Sequence, residues 1–143
     1  MPKKSPTQLD REIVAAVSKT TARQTPSHWV WAYHVAPKSA LPSIKTRGLR
    51  PHWHAHVEEA PIIFVEPDRE GVAPYYEPRN TVVLRFKTPG FGTTDDGESV
   101  IYGGSLREGA PPDKPLVGNP GTDGTIPPMR LQIEQSGKFE WFV

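Results

Sequence analysis

Three groups of residues in this sequence are of types that do chemistry. The first is His34, a polar residue inside an otherwise apolar run from His28 to Ala36, HWVWAYHVA. An imidazole there can hydrogen-bond a ribose hydroxyl or an amide while the strand backbone holds a planar base, although a single strand histidine more commonly serves as a satisfied core or edge residue. The second is Pro51-His52-Trp53-His54-Ala55-His56-Val57-Glu58. On an extended strand His52, His54, His56 and Glu58 share one face, a ligand set for Zn, Ni, Fe or Mn, and the same imidazoles can equally line a loop that meets phosphate or solvent. The third is the mixture of Trp29, Trp31, Tyr33 and Trp53 with Lys38, Lys45, Arg47 and Arg50. It suits single-stranded nucleic acid, yet tryptophans at alternating strand positions usually pack in a core, and that is the expectation for Trp29 and Trp31.

Several chemistries are excluded outright. The chain has no cysteine, which removes disulfides, zinc fingers, iron–sulfur ligation and thiol catalysis together. It contains no nucleophile-elbow, P-loop or dinucleotide glycine motif. Net charge is +1, but its parts differ: residues 13–57 hold no carboxylate and all five histidines, whereas residues 58–143 hold 14 of the 16 acids. The carboxylate-free segment predicts a positive surface for a phosphate-bearing ligand.

The elements that must position these residues follow from periodicity and punctuation. Proline supplies 17 of 143 residues against about 5% in average proteins, too many for an all-helical bundle. Residues 1–6 read as a disordered tail and residues 7–143 as one domain, with an N-terminal helix over 7–21 and a core over 28–143. A strand over 28–36 puts Trp29, Trp31, Tyr33 and Val35 on one face and Val30, Ala32 and His34 on the other. Ser39 is placed to cap a short helix over 39–47 that Gly48 stops. Further strands are predicted over 62–65, 81–87 and 99–102, with a turn through Tyr75 and Tyr76, and a final pair over 129–133 and 139–143 turns at Ser136-Gly137. Residues 88–125 are otherwise rich in Gly, Pro, Asp and Thr, the composition of a long functional loop. No run is long and apolar enough to span a bilayer, and the start lacks the apolar core of a signal peptide. These observations predict a soluble, cytoplasmic monomer without membrane contacts.

The order of short motifs carries a resemblance. Tyr33-His34-Val35-Ala36, a helix with Ser43-Ile44, and Gly48-Leu49-Arg50-Pro51 resemble the opening of the ADP-ribosyltransferase superfamily, and are similar also to RNA 2′-phosphotransferases. Ile62 to Asp68, Tyr75-Tyr76 and Val82 to Phe86 look like the second motif of that fold, and Thr125-Ile126-Pro127-Pro128 like its Ile-Pro exit. The likeness spans about residues 29–134. It implies an α+β fold, a split, curved antiparallel β-sandwich of ADP-ribosyltransferase type with a few short helices. It also implies NAD as substrate, no metal, and a macromolecular acceptor, nucleic acid or protein. By the same likeness His34 meets the nicotinamide ribose and Tyr76 or Tyr75 stacks on nicotinamide. Asp123 or Glu98, with Glu108 further along, supplies the acid. Tyr33, Val35, Arg50 and His52 complete the NAD-binding set. Two alternatives stand beside it: a non-catalytic nucleotide- or nucleic-acid-binding module of the same fold, and a metal-binding β protein built on His52, His54 and His56.

Overall fold

The computed structural model describes residues 23–55, 57–102 and 125–143. The tail over 1–6, the helix expected over 7–21, and His56, Glu108 and Asp123 lie outside the described residues. Eight strands are present among those described: β1 (Val30–Pro37), β2 (His52–His54), β3 (Val57–Phe64), β4 (Thr81–Thr88), β5 (Gly92–Thr93), β6 (Ser99–Tyr102), β7 (Gln132–Gln135) and β8 (Lys138–Trp141). One short helix, α1 (Leu41–Arg47), and three 3₁₀ turns, Lys38–Ala40, Glu70–Tyr75 and Pro128–Arg130, connect them. The class is α+β, with antiparallel pairing throughout both sheets. No helix among the described residues is long and apolar enough to cross a membrane.

The strands form two four-stranded sheets, ordered β1-β4-β7-β8 and β2-β3-β6-β5. β1 pairs along its whole length with β4, from Val30 opposite Thr88 to Pro37 opposite Thr81. The main core lies between the sheets: Ala32, Ala36, Leu84, Phe86 and Ile133 from the first meet Ile63, Val65 and Ile101 from the second. Ala60, Ile62, Val100 and Tyr102 form a separate cluster on the other face of the second sheet. Alternation within β3 explains the division, since Ile62 and Ile63 must point opposite ways.

Four local expectations are corrected. Ser39 does not cap α1: the 3₁₀ turn Lys38–Ala40 runs straight into the helix, whose N-cap is Ala40, and the Leu41 N–H donates to Lys38 O, so backbone satisfies what a cap would. The second apolar strand begins at Val57, not Ile62, because β2 pairs with it from Val57 to Ile62. Met129 and Arg130, expected to open the strand over 129–133, lie in a 3₁₀ turn after the adjacent prolines 127 and 128, which lack the N–H groups that ladder pairing needs. The tryptophans are not core residues. Trp53 is 67% and Trp141 41% exposed, and Trp29 and Trp31 are half-buried. β1 presents Ala32 and Ala36 to the second sheet, and that close approach leaves no room for an indole.

Among the described residues two isolated backbone bridges add to the ladders. Tyr33 and Glu66 exchange both backbone bonds, at 2.9 and 2.8 Å, and Leu49 and Ile126 do the same at 2.9 and 2.8 Å. The second bridge needs a glycine before it. Gly48 sits at φ 86° and ψ 178°, a region essentially restricted to glycine, and a Cβ there would lie 2.4 Å from Ile126 O. Gly48→Ala is therefore expected to cost about 2–4 kcal/mol of stability in urea unfolding; an unchanged midpoint would contradict this role.

Candidate functional site

The Tyr33–Glu66 pair is where the two sheets touch, and beyond it they part. A continued antiparallel ladder would next join Val35 to Phe64 by backbone. Instead the side chain of His34 takes the Phe64 carbonyl, with Nδ1 at 2.6 Å from Phe64 O. The strands splay at this point, and a cleft of about 530 Å³ opens between them, within the size range of small-molecule sites. β1 contributes Tyr33, His34 and Val35, and the end of β3 and the residues after it contribute Phe64, Val65 and Glu66. The 3₁₀ turn adds Val72 and Tyr75, and the connection from β5 to β6 adds Asp96, Gly97, Glu98 and Ser99.

Each polar group has an identifiable state. A carbonyl only accepts, so His34 Nδ1 carries the proton and donates it, leaving Nε2 with its lone pair. Burial pushes the His34 pKa down, the bond to Phe64 O opposes that shift, and the neighbouring His52 lowers it further. His34 is thus held neutral. Strand geometry turns the N–H and C=O of Val35 to the same side as those of Tyr33, toward the cleft, where they can read a planar amide. Glu66 packs against Gly71, at which a Cβ would lie 2.9 Å from Glu66 Oε2. Glu98 is held by the hairpin: its N–H donates to Thr94 Oγ1 at 3.1 Å, and that hydroxyl lies 3.3 Å from Glu98 Oε1. Among the described residues no lysine or arginine lines the cleft, and Glu66, Asp96 and Glu98 give that part of its wall an acidic character.

Of the residues expected from sequence, the cleft brings together Tyr33, His34, Val35, Tyr75 and Glu98. It separates the tandem tyrosines. Tyr75 is 65% exposed beside the cleft, whereas Tyr76 lies under the Arg69 guanidinium at 5.0 Å. That guanidinium is itself clamped by Glu134 through two bonds of 2.7 and 3.0 Å. Arg50 and His52 are exposed and are not lining residues, although His52 is near enough to act on the charge of His34. The linear histidine face is interrupted, because the register shifts between His52 and His54 and the His54 ring stands edge-on to Phe64 at 4.7 Å. Among the described residues no three side chains are grouped to hold a metal ion. Sequence reasoning missed Glu66 and Asp96. Glu66 carried a usable signal, a carboxylate ending an apolar strand just before Pro67; Asp96, in a turn, carried none.

The chain matches no protein-family model, no curated protein and no solved structure.

The state of His34 has a consequence for stability. Its folded pKa lies below the ordinary 6.5, so above that value both folded and unfolded chains are neutral at this site and it contributes no pH dependence. As pH falls through 6.5 the unfolded chain binds a proton that the folded chain resists, and stability is lost until the folded pKa is reached. Denaturation followed between pH 7.5 and 5 is expected to show this loss, and His34→Asn to reduce it. Equal slopes in the two proteins would contradict a neutral, Nδ1-protonated His34.

Proposed function

We propose that this chain is an ADP-ribosyltransferase-type enzyme that binds NAD in the cleft and transfers ADP-ribose to a macromolecular acceptor. The observation that carries the reading is the meeting of His34, Tyr75, Glu66 and Glu98 around one cleft, with no lysine or arginine among its described lining residues. The nicotinamide ring of NAD is cationic and planar and bears a carboxamide. Carboxylates and an exposed tyrosine ring suit its charge and face, and the Val35 backbone suits its amide. The pyrophosphate is repelled by the same carboxylates and belongs at the rim, on the side of His52 and Arg50.

The chemistry follows from that arrangement. His34 Nε2 would accept a hydrogen bond from a hydroxyl of the nicotinamide ribose and orient it. When the glycosidic bond breaks, its electron pair goes to nicotinamide and neutralises the ring, while positive charge develops on the ribose. A carboxylate aimed at that charge stabilises the transition state without reorganising. Glu98 takes this role because the hairpin holds it; an acceptor nucleophile then bonds to the anomeric carbon and gives its proton to a cleft carboxylate.

Nicotinamide release from NAD, measured with the wild-type protein and with Glu98→Gln, His34→Ala and Tyr75→Ala, tests the reading. Glu98→Gln is expected to slow release by at least about a hundredfold with NAD binding retained, while the other two variants weaken binding as well. Binding without release by the wild type would leave a nucleotide-binding module, and release unchanged in all three variants would overturn the assignment of the site.

A further inference from the structure

The side chains of β1, β4, β7 and β8 that point away from the second sheet form a second chemical surface. Register places Trp31 beside Lys87 and Tyr33 beside Arg85 on this face. The Arg85 guanidinium lies between the Trp31 ring, at 4.0 Å, and the Phe139 ring, at 4.2 Å, and its Nε donates to Gln132 Oε1 at 2.8 Å. Lys87 Nζ sits 4.6 Å from the Trp31 ring. Among the described residues the ion pair on this face belongs to Arg69 and Glu134, and neither Arg85 nor Lys87 meets a carboxylate. At the end of the row Arg130, 8% exposed, stacks 5.3 Å from Trp29 and donates to Lys87 O, while its Nε has no partner.

We propose that this face docks single-stranded nucleic acid through its phosphate backbone. Arg85 and Lys87 stand two residues apart on one strand, about 7 Å by strand geometry, and repel each other with no counter-charge among the described residues. Stacking on rings holds both cations in place, so little side-chain entropy remains to be lost when an oxyanion arrives. A chain with one negative charge per unit relieves the repulsion at both cations together. Charge also selects among polyanions. Tyr33 touches Phe139 in the row, ring centroids 5.7 Å apart, and lines the cleft, so the basic face runs directly into the acidic one. A polycarboxylate following the row would meet Glu66, Asp96 and Glu98, whereas a nucleotide can leave its phosphate on the row and extend an uncharged base or sugar toward the cleft. The binding surface stands apart from the transferase reading; only delivery of the strand as an acceptor rests on it.

Fluorescence anisotropy with a labelled, mixed-sequence single-stranded oligonucleotide tests the surface, without NAD and across a salt series. The double variant Arg85→Gln/Lys87→Gln is expected to bind about tenfold more weakly or worse, and to make the slope of log K against log salt shallower by about 1.4, two phosphate contacts' worth. Arg79→Gln, which removes an exposed cation from the turn before β4, is expected to change neither quantity. Should the double variant fail to fold, Lys87→Gln alone is expected to change the slope by about 0.7. A salt slope identical in wild type and variant would overturn the proposal, as would poly-glutamate competing as well as the oligonucleotide. Nicotinamide release is a separate readout, so failure of the surface and failure of the transferase reading are told apart.

Discussion

The substitution of a side chain for a backbone donor at Phe64 is the contact on which the site depends. Tyr33 and Glu66 bring the sheets to hydrogen-bonding distance, and a full ladder beyond them would close the gap. His34 intercepts the Phe64 carbonyl, so that the carbonyl stays satisfied while the strands separate. An intramolecular hydrogen bond of this kind contributes about 1 kcal/mol net, and a buried carbonyl left without it costs about 1–3 kcal/mol. The same bond sets the histidine's tautomer, turns Nε2 away from the sheet junction and leaves the Val35 backbone facing a cleft. Structure and chemistry therefore meet in one imidazole, and its neutrality is a condition of both.

The molecule also separates its charges by face. Among the described residues, the cleft gathers Glu66, Asp96 and Glu98 without a lysine or arginine, and the outer side of the first sheet gathers Arg85, Lys87 and Arg130 beside Glu134, which is committed to Arg69. Aromatic rings make this possible. Arg85 rests between two of them, and the indoles that carry the cations are on the surface because alanines occupy the inner face of β1. A near-zero net charge thus conceals two strongly unlike surfaces joined at Tyr33.

Much of this was legible in the sequence where short-range pattern decides. The alternation in WVWAYHVA gave the two faces of β1, the Gly48 stop and Pro42 gave α1, and Ser136-Gly137, both at positive φ, gave the final hairpin. The resemblance named His34 and, as alternatives it could not separate, Tyr76 or Tyr75 and Asp123 or Glu98. What stayed hidden depends on contacts between distant segments. Nothing local says that Ala32 and Ala36, and not Trp31, face the second sheet, since both sets alternate equally well. The split between Tyr75 and Tyr76 is decided by Arg69 and Glu134, 65 positions apart. The cations of the basic row, Arg85, Lys87 and Arg130, lie outside the carboxylate-free segment 13–57, so no run of like composition marked that row.

The fork held by His34 is proposed here as the ligand site for the nicotinamide end of NAD. A crystal structure of the protein soaked with NAD tests it most directly. The account predicts density for the ring beside Tyr75, its carboxamide on the Val35 backbone and a ribose hydroxyl on His34 Nε2. NAD bound elsewhere, or a cleft left empty at saturating NAD, would contradict it.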